Sequence, residues 1–446
     1  MAAMGFDEFR EKLFAAALEK GCEAAEVFYV ENEKFTVRIL EQETDSYSVS
    51  KSCGLSLRVK LDGRDGYAYT ELFEEPEKLA ERAADNARVI ESGDDHPMQV
   101  RCVYPEIKRP EAPAAELSER EKIELAKELE RRCKAADPRV KRVAADLFSS
   151  YRSTVKIYNT LGLAAESSEK GCYSYVSPVM EENGEVHDGF AFRFGAACAD
   201  VEGCAREAVA EGAAQFGAKP VGAGSYRILL RSDAAGDLLG AFSRIFSAEE
   251  VQRGMSPLSG NVGELVAAEC VSIVDDPLYP EFPRAFDDEG TPSEKTVVVG
   301  NGRLGSLLHN LKTAKKAGVR STSNAGRASA ASPVNVSPSN FYILPGEKDF
   351  DALTAQLGDG LIITEVSGLH SGANPVTGDF SLIAKGRLVE NGRPTRPVEQ
   401  ITVAGNFITL LKDIETVGSD LRFGIPGGGC IGSPGLLIKG LMVSGK

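Results

Sequence analysis

The histidines of this sequence are few, and their positions decide which metal and acid–base chemistry it can support. Only four occur: His96, His187, His309 and His370. Histidine is the commonest metal ligand and a frequent acid–base catalyst, so this scarcity argues against a histidine-rich metal centre. His309 lies beside an apolar stripe and is predicted to be structural, whereas His96 and His187 lie in polar turns and are predicted to be exposed.

His370 is the strongest candidate for a functional contact. It belongs to a polar loop that also contains Ser371, Asn374, Thr377 and Asp379. We expect this loop to orient a peptide or to reach a neighbouring subunit, and the alternative is a hydrogen bond that only stabilises the loop. Ser371, His370 and Asp379 also offer the residue types of a serine hydrolase, but residues so close in sequence seldom reach triad geometry.

Cysteine chemistry is restricted in a similar way. The nine cysteines are scattered and form no C-x-x-C pair, which excludes zinc ribbons and thioredoxin-type redox motifs. Cys430 differs from the others because it lies in a glycine-rich run, 427–432. Taken alone it is a candidate nucleophile, although no nearby histidine supports that role.

Charged clusters supply the remaining candidates. Asp275-Asp276 and Asp287-Asp288-Glu289 offer oxygen ligands for a hard cation, but neither matches the EF-hand loop, and surface turns are the simpler interpretation. Basic residues gather further along the chain, at Lys312, Lys315, Lys316, Arg320 and Arg327. They form either the solvated face of a helix and its exit loop or a site that captures a peptide C-terminal carboxylate.

Composition excludes several function classes. The 446 residues carry a net charge of −15, and a field of that sign repels phosphate, which argues against nucleic-acid binding. No uncharged apolar run is long enough to span a bilayer, and no Walker A, Rossmann or G-x-S-x-G motif occurs. The first residues carry acids where a signal peptide carries basic residues, so the cytoplasm is the expected compartment.

The elements that must position these residues begin with a mixed α/β half, 1–220. Helical spacing predicts a first helix from Phe6 to Leu18, followed by an antiparallel meander with turns at Asp62-Gly63 and Asp65-Gly66. Pro76 is expected to begin a second helix. These elements form one subregion, about 1–110, which ends in a proline-rich segment over 91–117 that is predicted to be a linker.

A second subregion, about 111–220, repeats this order of elements. Ser118 and Glu121 have capping-box spacing at the start of a charged helix. A strand-rich stretch from Val140 to Phe194 follows, and then an alanine-rich helix over Val201–Gln215. The order helix, strands, helix therefore occurs twice, without repetition strong enough to prove duplication.

The second half, 221–446, is predicted to be β-rich. An apolar stripe predicts a helix over 233–246, capped by Ser232 or Asp233, and a second stripe predicts a helix over Leu304–Leu311. From 340 onwards short β segments alternate with glycine turns, which indicates a curved sheet or partial barrel, and Phe423–Ile438 is predicted to be a loop. The whole chain is thus predicted to be an α+β protein.

Several blocks of the second half resemble the TldD/PmbA family. They are Asp275–Pro277, Phe286–Gly290, Ser321–Arg327, Gly368–Ser381, Glu390–Gly392, Pro397–Glu399 and Ala404–Asn406. The resemblance is specific over 220–446 and weaker but collinear before that. The family, first described as modulators of DNA gyrase, implies cytoplasmic metallopeptidase machinery, a mixed α+β N-terminal region, a β-rich C-terminal domain and dimers that enclose a chamber.

The resemblance also implies that this chain has no zinc of its own. TldD-type subunits bind zinc through a His-Glu…His helix and a downstream cysteine, and the glutamate activates the metal-bound water. The matching helix here continues as Gly240-Ala241-Phe242-Ser243-Arg244-Ile245, without histidine or glutamate. Cys430 could match the zinc-ligand cysteine, but the loop around it departs from the TldD pattern. The chain therefore resembles the PmbA (TldE) type of subunit.

The expected function is that of a zinc-free subunit in a metallopeptidase complex that acts on unstructured peptides. Its expected partner is a zinc-bearing TldD-type subunit, with a homodimer as the alternative, and neither nucleic acid nor membrane is an expected partner. The expected peptide-binding or interface residues are His370, Ser371, Asn374, Asp379 and Arg327, and none is expected to be catalytic. Two other functions stay open: a self-contained homodimeric hydrolase with an unrecognised site, and a non-catalytic adaptor for peptides or proteins such as DNA gyrase.

Overall fold

Two larger sheets and a barrel form the framework of the protein, which a computed structural model describes for residues 4–90, 96–426 and 429–445. The helices are α1 (Phe6–Glu19), α2 (Pro76–Val89), α3 (Glu119–Ala136), α4 (Val201–Ala213), α5 (Ser232–Phe242), α6 (Ala248–Gln252), α7 (Leu311–Ala317), α8 (Phe350–Leu357), α9 (Leu369–Gly372) and α10 (Phe407–Lys412). Short 3-10 helices span Pro113–Glu116, Gly195–Ala199 and Ser243–Phe246. Within these described ranges no helix has the length and apolar character needed to cross a bilayer.

The strands of the first half are β1 (Ala24–Leu40), β2 (Glu43–Leu61), β3 (Arg64–Thr70), β4 (Val140–Asn159), β5 (Ala164–Glu182), β6 (Glu185–Asp188) and β7 (Ala191–Phe194). Those of the second half are β8 (Gly224–Leu230), β9 (Ile273–Asp275), β10 (Thr296–Gly300), β11 (Arg303–Leu304), β12 (Ala325–Gly326), β13 (Asn335–Val336), β14 (Asn340–Ile343), β15 (Gly360–Ser367), β16 (Asp379–Glu390), β17 (Arg393–Asn406), β18 (Ile414–Val417), β19 (Arg422–Phe423), β20 (Cys430–Ser433) and β21 (Leu436–Ser444).

The first half builds one seven-stranded sheet with the order β3-β2-β1-β4-β5-β6, and β7 pairs with β5. All of these pairs are antiparallel, and β1 and β4 are neighbours at the centre. The helices α1 and α2 pack on each other and on the first three strands, whereas α3 and α4 pack on each other and on β4 and β5. The predicted order of helix, strands and helix therefore occurs twice, and each helix pair covers its own part of the sheet.

Local signals explain how two of these helices begin. The backbone N–H of Ser118 donates to the Glu121 carboxylate at 2.8 Å, and the Glu121 N–H donates to Ser118 Oγ at 3.4 Å, so the predicted capping box starts α3. Pro76 is the first residue of α2, where its fixed φ suits a helix and its missing N–H would have no helical partner. Both predictions are confirmed.

The predicted turn at Asp65-Gly66 is wrong, because both residues lie inside β3. Gly66 is required there by the close approach of α2, since a Cβ at this position would lie 2.0 Å from the carbonyl oxygen of Ala83. The turn at Asp62-Gly63 is confirmed, and both residues have positive φ, +50° and +73°. A two-residue turn of this kind matches the twist of an antiparallel hairpin.

The second half contains a closed five-stranded barrel. The strands pair in the order β17-β16-β15-β8-β21, and pairing of β17 with β21 closes the ring. β8 and β15 run parallel, while the other neighbours are antiparallel. The predicted curved sheet or partial barrel is confirmed, and the structure shows that the barrel is closed. Closure removes free strand edges. The α+β prediction for the whole chain is also confirmed.

Helix α5 packs between this barrel and a six-stranded sheet of order β11-β10-β9-β14-β20-β19. On the barrel side Phe242 stacks on Phe407, with ring centroids 4.6 Å apart and planes at 11°. Full burial of such a ring stabilises a fold by about 2–3 kcal/mol. On the other side Gly240 faces β20, where a Cβ would lie 3.8 Å from Ile431.

Three predictions for the second half are wrong. The stripe over Leu304–Leu311 is not a helix, because α7 begins only at Leu311, where the Asn310 side chain accepts the Thr313 N–H as a cap. Leu304, Leu307 and Leu308 are buried without being helical, so their spacing indicated burial alone. Phe423–Ile438 contains the end of β19, all of β20 and the start of β21 rather than a loop throughout. Helix α5 begins at Ser232 with Arg231 as its N-cap, without a side-chain cap.

Candidate functional site

A cleft with a volume of about 800 Å³ lies between the N-terminal sheet and loops of the C-terminal domain, and we call it the first cleft. Its walls include Tyr151 and Tyr173 from the sheet, and Arg284, Asn340 and Cys430 from the C-terminal domain. The volume is within the range typical of ligand sites, ~300–1,000 Å³. Aromatic rings beside hydrogen-bonding and charged groups suit an extended peptide, which offers both apolar side chains and backbone polar groups.

The segment predicted to be a linker, 91–117, instead fastens the two halves together. From His96 onward it is described, and Tyr104 Oη donates to the carbonyl oxygen of Gly290 at 3.0 Å. Arg109 Nη1 donates to the carbonyl oxygen of Pro283 at 3.3 Å, and its Nη2 donates to Ser167 Oγ at 2.5 Å. Arg109 therefore joins the two halves at a point where it also lines the first cleft.

Cys430 lies at the start of β20, where its backbone N–H donates to the carbonyl oxygen of Ser339 at 2.7 Å. The side chain is buried, and burial raises the pKa of its thiol to about 12. At neutral pH the thiol is therefore protonated and a poor nucleophile. The strand that begins at Cys430 packs on α5, the helix that the resemblance equates with the zinc helix of TldD-type subunits.

The residues at that place do not fit a zinc ion. A catalytic zinc takes three protein ligands, and the run that the resemblance places at the zinc helix, residues 240–245 of α5 and the 3-10 turn after it, contains no histidine, cysteine or carboxylate. The hydroxyl of Ser243 in this run donates to the carbonyl oxygen of Gly240 at 2.9 Å. Across residues 4–90, 96–426 and 429–445, no group of three or more histidine, cysteine, aspartate or glutamate side chains is placed to hold a metal.

Asp275 is buried in β9 and Asp276 is half-buried, so the interpretation of this pair as a surface turn is wrong. One oxygen of Asp275 accepts from the Ser339 N–H at 2.7 Å, and the other accepts from Ser339 Oγ at 2.7 Å and from Asn324 Nδ2 at 2.8 Å. Burial raises the pKa of this carboxyl in spite of these bonds and of nearby Arg284. Both oxygens of Asp275 accept hydrogen bonds from groups of the protein itself, and these bonds fix β9 to the loops on either side.

The Asp287–Glu289 loop is also buried, and its carboxylates accept from backbone N–H groups of distant segments. Asp287 accepts from Thr291 at 2.9 Å and from Ala325 at 3.0 Å, and Asp288 accepts from the Arg327 N–H at 2.7 Å. Glu289 accepts from the Leu311 N–H at 2.8 Å. Burial raises the pKa of Asp287 and of Glu289. The loop therefore ties together the segments around 311 and 325.

His96 hydrogen-bonds to Glu289 through Nε2 and is 7% exposed, so the prediction of an exposed His96 is wrong. Burial, assisted by the charge of Arg58, lowers the pKa of His96 to about 3, so the imidazole is neutral. His187 was also predicted to be exposed, and this is wrong as well, because its ring packs edge-on against Phe216 at 5.0 Å. In both cases the covering residues are remote in sequence.

His309 is buried at 6% exposure, and its backbone N–H donates to Thr322 Oγ1 at 2.6 Å. Its Nδ1 atom has no hydrogen-bond partner among the described residues. The imidazole lines neither of the two clefts described here. This arrangement agrees with the structural role expected of it.

The four candidate residues around His370 share one exposed loop, formed by α9 and the chain that leads into β16. Ser371 Oγ donates to the carbonyl oxygen of Gly368 at 3.2 Å, and Asp379 accepts from Asn406 Nδ2 at 3.0 Å. No hydrogen bond joins Ser371, His370 and Asp379 in this described loop, so the triad geometry is not formed. His370, Ser371, Asn374 and Asp379 line neither cleft, and their role at an interface stays a prediction.

Arg327 lies apart from the His370 loop, in a second cleft with a volume of about 590 Å³. Lys312 and Lys316 line the same cleft, so the structure brings together three of the five basic residues singled out in the sequence. Arg320 is exposed and lies 3.9 Å from Glu294.

The residues that line the first cleft were missed by sequence reasoning, apart from Cys430 and Asp288. Tyr151 and Tyr173 lie on long strands, β4 and β5, whose successive side chains point to opposite faces of the sheet. Only the position of the C-terminal loops shows which of the two faces these loops cover. The signal available was the alternation of tyrosines over 171–175, which marks one face of β5 without saying what lies over it.

Three family models match the chain in succession. PmbA/TldA metallopeptidase domain 1 matches residues 25–87, the central domain matches residues 112–215, and the C-terminal domain matches residues 223–445. A metalloprotease of Methanothermobacter thermautotrophicus is 27% identical over 395 residues, which cover 84% of this chain and 83% of that relative. The metalloprotease PmbA of Escherichia coli O157:H7 is 27% identical over 319 residues, which cover 69% of this chain and 67% of PmbA.

Solved structures show the same fold. A Thermotoga maritima protein, named for a proposed role in modulating DNA gyrase, superposes with a TM-score of 0.91 at 34% identity, and the match covers 99% of this chain and 100% of that chain. TldE of Thermococcus kodakarensis superposes with a TM-score of 0.88 at 21% identity over 98% of this chain and 100% of its own. The resemblance found in the sequence is confirmed, and the chain belongs to the PmbA/TldD metallopeptidase family.

Proposed function

We propose that this chain is the zinc-free subunit of a PmbA/TldD-type metallopeptidase complex and that its first cleft holds unstructured peptides. The observation that carries the proposal is the run 240–245, which offers no histidine, cysteine or carboxylate where the family's zinc helix would have its ligands. Hydrolysis would then belong to a TldD-type partner that supplies zinc. The nine free thiols suit the reducing cytoplasm as its compartment.

The preference for unstructured peptides follows from the walls of the first cleft. Tyr151 and Tyr173 can pack against side chains of any apolar residue, while Arg109 and Glu169 can meet backbone or terminal polar groups. An extended chain can enter such a cleft between two domains, whereas a folded protein has its backbone groups already paired. The net charge of −15 argues against nucleic acid as the ligand.

Purification of this chain alone and together with a zinc-bearing TldD-type partner tests the proposal. We expect less than stoichiometric zinc and no peptide hydrolysis for the chain alone, and a stable complex with hydrolysis for the pair. Tyr173→Ala should lower kcat/KM of the pair by about tenfold through the lost ring contact, and Tyr47→Ala, on an exposed strand outside the cleft, should leave it unchanged.

Two results would contradict the proposal. One zinc per chain with hydrolysis by the isolated chain would favour a self-contained homodimeric hydrolase. Peptide binding with no complex formed in the presence of a TldD-type partner would favour an adaptor.

A further inference from the structure

The second cleft concentrates positive charge within an acidic protein. Arg327, Lys312 and Lys316 line it, and the carboxylate among its lining residues, Glu249, is already paired with Arg253 at 2.7 Å. In the described part of the chain neither Lys316 nor Arg327 has a carboxylate oxygen within salt-bridge distance of its side chain. A cleft of this kind attracts an anionic group from solution.

Arg327 is held in place before any ligand arrives. Its guanidinium carbon lies 4.8 Å from the centroid of the Phe28 ring, and its Nη1 donates to the carbonyl oxygen of Ser332 at 3.4 Å. Its backbone N–H donates to Asp288 at 2.7 Å, which anchors it to the buried acidic loop. A guanidinium fixed in this way loses little conformational entropy on binding, and its planar edge matches a carboxylate.

Beside polar residues and the Glu249–Arg253 ion pair, the second cleft has aromatic and apolar walls. Tyr67 and Tyr69 on β3 form one side, and Ala330, Pro333 and Val334 form part of the other. A small inorganic anion would leave these surfaces exposed to water, whereas a ligand that joins one anionic group to an apolar body would cover them.

We infer that the second cleft binds the C-terminal carboxylate of a short peptide whose last residue is apolar. Arg327 and Lys316 pair with the carboxylate, and the last side chain packs against the aromatic and apolar walls of the cleft. This inference rests on the proposed function for its choice of peptides as the ligand class. It places the recognition of a chain end in a cleft separate from the first cleft.

Fluorescence anisotropy on the full chain alone tests the inference. The probes are an N-terminally fluorescein-labelled Gly-Gly-Ala-Leu peptide with a free carboxylate and the same peptide with a C-terminal amide. We expect the acid to bind about tenfold more tightly than the amide. Lys316→Glu should remove this preference, and Arg327→Lys should reduce it, because a lysine cannot form the bidentate pair.

Lys412→Glu is the matched control, because Lys412 is exposed on α10 and lies outside the second cleft. This substitution changes the net charge by the same amount as Lys316→Glu. It should leave both affinities unchanged. Equal affinities for acid and amide would overturn the inference, and so would an unchanged preference in Lys316→Glu or full displacement of the acid by equimolar inorganic phosphate.

The assay contains neither zinc nor a partner subunit, so its result is separate from the test of the proposed function. A chain that forms an active complex but does not prefer the acid refutes only the carboxylate site. A chain that prefers the acid but forms no complex refutes only the subunit role.

Discussion

Asp146 is a buried acid without partners in the N-terminal sheet. It lies on β4 with no exposed surface, and within the described ranges neither of its carboxylate oxygens has a hydrogen-bond partner. Burial, with a further contribution from the nearby Glu130 carboxylate, raises the pKa of Asp146 to about 8. For Glu130 burial favours the neutral acid, but hydrogen bonds from Lys134 and Gln42 hold its pKa below the ordinary value. Asp146 therefore keeps its proton in the native protein at neutral pH.

The consequence is a pH-dependent loss of stability whose sign and size can be worked out. The native state holds the Asp146 proton up to a pH of about 8, whereas an unfolded chain loses it near the ordinary value of 3.8. The native state thus binds more protons between these limits, and the free energy of unfolding falls as pH rises through them. The full difference is ~6 kcal/mol, or ~1.4 kcal/mol for each pH unit.

Asp146→Asn keeps the shape of the neutral acid and removes its titration. Relative to the parent protein, the variant should gain ~3 kcal/mol in free energy of unfolding between about pH 5 and about pH 7.5. Urea unfolding followed by circular dichroism measures this difference. Asp45→Asn, at an exposed position on β2, is the matched control and should show a difference independent of pH. A constant difference between Asp146→Asn and the parent over this range would refute the buried-acid reasoning.

Three other measurements test the packing and the site. Gly66→Ala should lower the free energy of unfolding by about 3 kcal/mol, because its Cβ would collide with α2, whereas Gly222→Ala, with no atom within 4 Å of its Cβ, should be nearly neutral in the same urea titration. Ser118→Ala should cost about 1 kcal/mol through the lost cap of α3, seen as a lower Tm, and an unchanged Tm would contradict the capping role. Iodoacetamide near neutral pH should alkylate exposed Cys270 well before buried Cys430, as mass spectrometry of the peptides would show; equal rates would mean that the Cys430 thiol is accessible or ionised.

Features set by neighbours in sequence could be predicted from the sequence. The capping box of Ser118 and Glu121 and the start of α2 at Pro76 depend on residues within one helical turn, so their spacing was sufficient. The barrel was predicted as a curved sheet or partial barrel and not as a closed one, because its closure depends on pairing between β17 and β21, which no local pattern specifies.

Features set by distant residues could not be predicted. His96 is covered by Glu289, which lies 193 residues later, so its polar sequence neighbours gave the wrong exposure. The Asp287–Glu289 loop resembles a surface turn in sequence and is buried because backbone N–H groups near 311 and 325 donate to it. The basic residues near Arg327 in sequence were sufficient to propose it as part of a site. The cleft that Arg327 lines could not be predicted, because one of its walls is β3, which is remote in sequence.

The structure also bears on the duplication that the sequence left open. In the first unit a turn with positive φ at Asp62-Gly63 joins β2 to β3, and in the second a turn with positive φ at Asn183-Gly184 joins β5 to β6. After each turn a glycine lies against the last helix of its own unit: a Cβ at Gly66 would lie 2.0 Å from Ala83 O, and one at Gly189 would lie 1.8 Å from Ala208 O. A shared topology with the same two backbone constraints argues that one unit was duplicated.

This arrangement relates the two clefts to each other. The first cleft takes its sheet wall largely from the second unit, at Tyr151 and Tyr173, and the second cleft takes its wall from the first unit, at Tyr67 and Tyr69. The Asp287–Glu289 loop connects them, because Asp288 lines the first cleft and Glu289 bonds to His96, which lines the second. Because Glu289 and His96 are buried and share a hydrogen bond, a displacement of this loop in the first cleft would alter the wall of the second.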